Sequence, residues 1–232
     1  MKDSTRGLRL YVLRHGEPAH LDLFYGHHDI DLSERGLEQA HAQAERLGRI
    51  PFTAIYSSDL RRAHRGALLV AERCGVPVTI DPDLREMCLG ALEAMPHSEA
   101  MQRYPQWAGR SYLDMLDARM PGGGESVRDC STRVFASIER VAAAHAGLGD
   151  QGRWPTVLVY VHNTVARVLL ARAAGAGVAG YTRFVQRYGA INRIEVPVGR
   201  ASADGERGDS IDWERATIGY TNRDPLTSVG GC

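Results

Sequence analysis

The sequence has almost no lysine, and its charges cancel. Lys2 is the single lysine, so nearly all of the 28 basic side chains that balance the 28 acidic ones are arginines. A formal net charge of zero gives no overall field that would attract nucleic acid or an anionic membrane. Arginine carries a planar fork of donors that suits a phosphate group. The composition therefore argues against a nucleic-acid partner and supplies many side chains suited to binding phosphate.

Cysteine is also scarce, and no apolar run is long. The four cysteines lie far apart and form no Cys-x-x-Cys pair, which argues against a zinc knuckle or a dense disulfide framework. No stretch reaches the roughly 18 apolar residues of a membrane span, and residues 1–7 lack the apolar segment of a signal peptide. We therefore expect a cytoplasmic protein without a membrane partner. With 44% hydrophobic residues, the chain of 232 residues is predicted to form a single domain, 1–232.

Apolar runs of strand length alternate with amphipathic helical patterns. Strands are predicted at 8–13, 51–58, 76–80, 156–161 and 190–198, with an edge strand at 211–220. Helices are predicted after an N-cap at Ser33, after an N-cap at Ser58 or Asp59, after a capping box of Ser126 and Asp129, and at 165–174. Residues 201–209 are predicted to form a loop, and residues 227–232 to be frayed. The succession of strand, helix and strand indicates an α/β fold with parallel crossovers.

Two of the predicted strands end directly in a histidine. The run at 8–13 continues into Arg14, His15 and Gly16, and the run at 156–161 continues into His162 and Asn163. Ligands of open α/β sheets bind beyond the carboxyl ends of the strands, where a glycine lets a backbone or a ligand approach closely. An imidazole beside a permanently charged guanidinium suggests a phosphate that the histidine attacks. The repetition of the pattern at a second strand supports this interpretation.

Three further segments carry candidate side chains. Arg61 and Arg62 fall in the first turn of a predicted helix, where free amide groups and the helix dipole favour an anion. One of these two arginines is expected to face solvent. Glu86 follows a predicted strand and is a candidate proton donor. The loop after the first strand carries Tyr25, Gly26 and two adjacent histidines, but no ligand spacing supports a metal there, and we expect none.

The regular pattern loosens between residues 91 and 122. This insert contains four of the six methionines and several aromatic residues. Two interpretations stay open, a lid over the leaving group and the satellite core of a small helical subdomain. The glycine-rich segment at 121–124 lacks the Gly-Lys-Ser/Thr continuation of a nucleotide-binding loop, so it is predicted to be a turn that leads into the helix at Ser126.

Several ordered strings resemble the histidine phosphatase superfamily, the phosphoglycerate mutase-like family. They are Leu-Arg-His-Gly-Glu at 13–17, Gly-His-His-Asp-Ile-Asp-Leu-Ser-Glu-Arg-Gly at 26–36, Ser-Ser-Asp-Leu-Arg-Arg-Ala at 57–63, Leu-Arg-Glu-Met-Cys-Leu-Gly at 84–90, Gly-Gly-Glu-Ser at 123–126 and Val-His-Asn-Thr-Val-Ala-Arg at 161–167. The resemblance extends from residue 8 to about residue 226. It implies a three-layer α/β sandwich with a mostly parallel central sheet, helices on both faces and a helical lid insert.

The resemblance also implies a role for each candidate side chain. His15 becomes phosphorylated, Arg14, Arg62 and His162 hold the phosphoryl oxygens, and Glu86 protonates the leaving oxygen and then activates water. It implies a phosphatase that acts on a small phosphomonoester without a cofactor or a metal. Because His15 must be neutral while Glu86 is protonated, we expect an acidic to neutral pH optimum. The oligomeric state stays open, with a homodimer as one alternative.

The chain departs from the family pattern where the substrate would lie. Asn163 stands in place of the usual glycine, and its side chain could crowd the phosphate or hydrogen-bond to it. The loop after Glu17 is short and lacks the asparagine, arginine and glutamine of many members, and Leu21, Leu23 and Tyr25 lie near those places.

The residues expected to contact the substrate are Gly16, Tyr25, Gly26 and Asn163. Two other functions also stay open. One is a phosphoglycerate mutase-type phosphoryl transferase, and the other is a non-catalytic protein that binds a phosphorylated ligand.

Overall fold

The structure is a computed structural model that describes residues 6–108, 112–147, 153–200 and 209–227. The strands in these ranges are β1 (Arg6–Arg14), β2 (Ala54–Ser57), β3 (Val78–Ile80), β4 (Thr156–Val161), β5 (Ile191–Arg200), β6 (Asp209–Ile211) and β7 (Thr217–Arg223). The α-helices are α1 (Glu34–Leu47), α2 (Arg61–Cys74), α3 (His97–Arg103), α4 (Pro105–Ala108), α5 (Val127–His145) and α6 (Asn163–Ala173).

The described strands form one sheet of seven strands, in the order β3-β2-β4-β1-β5-β6, and β7 also pairs with β5. The strands β3, β2, β4 and β1 are parallel, whereas β5 runs antiparallel to β1, β6 and β7. The register places Arg14 at the end of β1 beside Val161 at the end of β4. Both strands therefore deliver the next residue of the chain to the same point on the edge of the sheet.

Helices cover both faces of the sheet. Side chains alternate along β4: Val157, Val159 and Val161 pack in a core with α5 and α6, whereas Leu158 and Tyr160 pack in a second core with α1 and α2. All six residues of β4 are buried, as expected for a parallel strand that is covered on both sides. The predicted three-layer α/β fold is confirmed.

The polar caps predicted for two helices are confirmed, and the cap predicted for α2 is wrong. Ser33 accepts a hydrogen bond at the start of α1, and Ser126 forms a capping box at the start of α5. The N-cap of α2 is Leu60. Ser58 accepts a hydrogen bond from the backbone N–H of Leu60 itself, and the carboxylate of Asp59 pairs with an arginine, so neither side chain reaches the helix.

The number of strands differs from the prediction, which specified parallel crossovers but no strand order. The strands β1 and β2 are parallel but not neighbours, because β4 lies between them. The single edge strand predicted at 211–220 is two strands, β6 and β7. Between them Trp213 is buried, and Glu139 of α5 accepts hydrogen bonds from its indole and from the backbone N–H of Ile211, which turns the chain. Most of the predicted loop (201–208) and of the frayed end (228–232) lies outside the described residues.

The insert at 91–122 packs on the main body of the protein. It forms α3 and α4, and its residues 109–111 lie outside the described residues. The core that contains α5 and α6 also includes Leu92, Met95, Ala100 and Met120. The described residues of the insert therefore extend that core instead of forming a satellite core. Of the described helices, none has both the length and the hydropathy that are needed to cross a bilayer.

Candidate active site

Each of the four parallel strands leads to at least one candidate side chain, and β1 leads to two. Arg14 is the last residue of β1, and His15 follows it. His162 follows β4 and is the N-cap residue of α6. The strand β2 leads through a short turn to Arg62 in the first turn of α2, and β3 leads through a 3-10 turn to Glu86. The structure thus brings all five predicted catalytic residues to the carboxyl edge of the sheet, where ligands of such sheets bind.

His15 is buried and held in one tautomer. Its Nδ1 lies 2.6 Å from the carbonyl oxygen of Gly16. Because a carbonyl oxygen can only accept, Nδ1 carries the proton and Nε2 keeps its lone pair. The ring centroid of His162 lies 5.1 Å away. His15 is therefore arranged to act as a nucleophile through Nε2.

Buried polar atoms without a partner lie near this nucleophile. The Nε atoms of Arg14 and Arg62 and both ring nitrogens of His162 are buried and make no hydrogen bond to any described residue. Leaving a buried polar group unpaired costs about 1–3 kcal/mol, so native proteins rarely do so without a reason. An anion at this point would satisfy these groups together. We call the group of Arg14, His15, Arg62 and His162 the anion hole.

The pKa values of both histidines of the anion hole are lowered, which favours their neutral forms. Burial, followed by the charges of Arg62 and Arg14, lowers the pKa of His15 well below its usual value of 6.5. Burial and then the charge of Arg62 lower the pKa of His162 in the same direction. An uncharged imidazole is the form that can attack phosphorus, so the two arginines serve the nucleophile as well as the anion.

Arg62 is fully buried and anchored to backbone oxygens. It donates to the carbonyl oxygens of Gly26 at 2.6 Å and of His28 at 3.0 Å. The loop that carries them is held by the carboxylate of Glu93, which accepts four backbone N–H bonds at 2.7–3.0 Å, three of them from residues 26–28. Arg61 is exposed and pairs with Asp29, as expected for one of the two arginines.

Glu86 is fixed from both its side chain and its backbone. One carboxylate oxygen accepts the backbone N–H of Thr164 in the first turn of α6 at 3.1 Å, and the other accepts the N–H of Met87 at 2.8 Å. Arg133 of α5 donates to the carbonyl oxygen of Glu86 at 2.8 Å and pairs with Glu125. The carboxyl group of Glu86 is therefore held at the N-terminus of α6, whose N-cap residue is His162.

The four residues predicted to contact substrate occupy two kinds of position. Tyr25 and Asn163 line a cavity of about 540 Å³, whose lining also includes Arg14 and Glu86. The two glycines serve backbone packing instead. A Cβ on Gly16 would lie 2.2 Å from a carbonyl oxygen of α1, and one on Gly26 would lie 2.1 Å from the carbonyl oxygen of Met87.

Nothing in the sequence marks Tyr188 as part of this site. The guanidinium of Arg14 lies 4.0 Å from the centre of its ring, and its hydroxyl lies 2.6 Å from that of Tyr25. Tyr188 precedes β5, and the backbone N–H of Gly189 donates to the carbonyl oxygen of His15. The pairing of β5 with β1 thus brings Tyr188 to the anion hole. A pairing between strands so far apart in the chain cannot be predicted from the local sequence around Tyr188.

The adjacent histidines His27 and His28 do not form part of a metal centre in the described part of the chain. Nowhere among the described residues do three or more His, Cys, Asp or Glu side chains gather as metal ligands would. The backbone of these two residues instead serves the loop that anchors Arg62.

Comparison with known proteins agrees with this geometry. The chain is 35% identical to a metal-independent phosphoserine phosphatase of Arabidopsis thaliana, over 78% of this chain and 74% of the relative. It is 33% identical to phosphoglycerate mutase-like protein 4 of the same plant, over 71% and 70%. A solved structure of mycobacterial glucosyl-3-phosphoglycerate phosphatase matches it with a TM-score of 0.78 and 30% identity, over 94% of this chain and 99% of that one. Residues 10–205 match the histidine phosphatase superfamily (branch 1), and the chain belongs to that superfamily.

Proposed function

We propose that the protein is a metal-independent phosphomonoesterase that hydrolyses a small phosphorylated metabolite through a phosphohistidine on His15. The observation that carries the proposal is the set of buried, unpartnered donors of the anion hole. The oxygens of a phosphoryl group would pair with the Nε atoms of Arg14 and Arg62 and with a ring nitrogen of His162. Similarity to a relative named metal-independent phosphoserine phosphatase also supports it.

The reaction proceeds in two steps. In the first, Nε2 of His15 forms a bond to phosphorus, the bond from phosphorus to the leaving oxygen breaks, and the carboxyl group of Glu86 gives its proton to that oxygen. In the second, water attacks phosphorus and gives a proton to Glu86 while the phosphorus–nitrogen bond breaks. Free His15 and inorganic phosphate result. The arginines stabilise the phosphoryl charge in both steps, and the covalent intermediate divides one hard reaction into two easier ones.

The acid limb of the kcat/KM profile is expected to lie below pH 6.5. The pKa of His15 is lowered from 6.5 by burial and by Arg62 and Arg14, so the ring stays unprotonated as the pH falls through that value. The free energy of unfolding should decrease as the pH falls below 6.5. In that range the imidazoles of His15 and His162 bind protons in the unfolded chain but stay unprotonated in the folded protein, because their pKa values are lowered there. Kinetics and chemical denaturation from pH 4.5 to 9 measure both. An acid limb centred above pH 6.5 would contradict the lowered pKa.

Replacing Glu93 by glutamine is expected to lower kcat/KM by about 10- to 100-fold. An amide offers one acceptor oxygen instead of two, so some of the four backbone N–H groups lose their partner and the loop that anchors Arg62 shifts. Kinetics and thermal unfolding measure the effect. The control is Glu99→Gln, which removes an exposed pair with Arg103 and should change neither quantity. Wild-type kcat/KM in Glu93→Gln would show that Glu93 does not position Arg62.

A labelling experiment tests the proposed function. The enzyme is mixed briefly with a radiolabelled phosphomonoester in the presence of a chelator and quenched in base. The expected result is a label on His15 that is stable in base and released in acid, with undiminished turnover. Turnover that stops when the chelator is added, or a label on another residue, would overturn the mechanism.

The similarity to a phosphoglycerate mutase-like protein gives a second candidate a specific basis. A mutase would interconvert phosphoglycerates and release little free phosphate. A binding protein without catalysis would retain phosphorylated ligands but show neither turnover nor a labelled histidine. Phosphate release measured alongside phosphoglycerate interconversion separates these two outcomes from hydrolysis.

A further inference from the structure

The cavity next to the anion hole is lined mainly by apolar side chains. Leu21, Leu23 and Phe24 come from the loop after β1, while Met101, Tyr104 and further apolar residues come from the insert. Its volume of about 540 Å³ is within the range of small-molecule sites. Because Arg14 and Glu86 belong to the same lining, this cavity is where the leaving group of a bound phosphomonoester would lie.

Two apolar side chains of this lining are exposed to solvent. Leu21 is 52% exposed and Met101 is 50% exposed, which places them among the most exposed large hydrophobic residues of the described chain. They belong to separate segments that border one opening. An apolar leaving group in the cavity would cover both side chains and remove that surface from water.

The described residues of the lining offer no counter-charge for a second anionic group. Its charged side chains are Arg14 and Glu86, and both belong to the catalytic machinery. Arg14 already donates to a backbone oxygen at 2.5 Å and covers the ring of Tyr188. The ring of His97 packs edge-on against Phe24, with 4.5 Å between the centroids. Among the described lining residues, no further arginine or lysine is present, so a carboxylate would be desolvated there without a cationic partner.

We infer that the substrate is a phosphomonoester with an uncharged, bulky and apolar leaving group, such as an alcohol that carries an aromatic ring. The inference rests on the proposed function, because it assigns the leaving-group side of the same site. It separates this chain from two of the compounds that the relatives' names contain. Phosphoserine and glucosyl-3-phosphoglycerate both carry a carboxylate, which the described lining does not match.

Phosphate release from primary alkyl phosphates tests the inference. We compare 2-phenylethyl phosphate and 2-naphthylethyl phosphate with glycerol phosphate and phosphoserine, so that the ester bond stays of one type. The expected result is a kcat/KM about 10- to 200-fold higher for the two aromatic esters. Equal values, or a preference for phosphoserine, would overturn the inference and leave the proposed hydrolysis intact. No phosphate release from any ester would instead contradict the proposed function.

A pair of matched variants locates the preference in the cavity. Leu21→Asp is expected to lower the ratio of kcat/KM for 2-phenylethyl phosphate to kcat/KM for glycerol phosphate by about tenfold. Leu68 is 49% exposed in α2 and is not part of the cavity lining, so Leu68→Asp introduces the same charge at an equally exposed leucine elsewhere. Equal losses on both esters in Leu21→Asp, or the same pattern in Leu68→Asp, would refute the assignment.

Arg110 lies outside the described residues, so its charge needs a direct test. In Arg110→Ala the preference for aromatic esters over phosphoserine should stay as in the wild type. If the variant instead lost its activity on phosphoserine selectively, the site would contain a counter-charge for carboxylates. That result would overturn the inference.

Discussion

Replacing His15 by alanine is expected to lower kcat for phosphate release by about 10⁴-fold or more. The variant lacks the nitrogen that accepts the phosphoryl group, while the unpartnered donors of Arg14, Arg62 and His162 are still present to bind it. Substrate affinity should therefore change much less than turnover. Steady-state kinetics give the loss in kcat, and calorimetric titration of the variant with a phosphomonoester gives the affinity.

The control for this substitution is a histidine outside the site. His41 is exposed on α1, and His41→Ala should keep the wild-type kcat. Residual turnover of His15→Ala within about tenfold of the wild type would require another nucleophile or direct attack by water. A loss of affinity as large as the loss of turnover would show that His15 mainly binds the anion.

The placement of the two histidines could be predicted from the sequence because it depends on short-range information. Each apolar run shows where a buried strand ends, and parallel neighbours end at the same edge of a sheet. The sequence does not indicate which strand lies next to β1. The structure shows that this neighbour is β4 and not β2, with Arg14 in register with Val161. The two rings can approach to 5.1 Å because of that adjacency.

The supporting residues of the site could not be predicted in this way. Glu93 lies in the insert but binds the backbone of residues 26–28, and Tyr188 reaches Arg14 through the pairing of β5 with β1. Both contacts join segments that are far apart in the chain, and neither residue belongs to a local pattern. The same reason explains the error at the last strands, where Glu139 of the distant helix α5 accepts hydrogen bonds from Ile211 and Trp213 as the chain turns after β6.

Replacing Arg62 by methionine is expected to lower kcat/KM by about 10³-fold or more. The variant removes a positive charge from the developing phosphoryl transition state and leaves the carbonyl oxygens of Gly26 and His28 without a donor. Arg61→Met is the matched control, because the neighbouring side chain is 61% exposed and pairs with Asp29. That variant should keep nearly all activity. Thermal unfolding of both variants separates loss of catalysis from loss of the fold.

The pKa of His15 provides a readout of Arg62 that a purely structural role would not produce. The charge of Arg62 is the largest cause after burial of the lowered His15 pKa, so Arg62→Met should raise that pKa toward 6.5. The acid limb of the residual activity should then move to higher pH, and NMR titration of the ring should show the same shift. Arg62→Lys keeps the positive charge but lacks the planar guanidinium that donates several hydrogen bonds. This variant should therefore retain the lowered pKa of His15 and have more activity than Arg62→Met but less than the wild type. If Arg62→Met loses activity with an unchanged His15 pKa, Arg62 acts only by holding the loop at residues 26–28, and its charge does not reach the nucleophile.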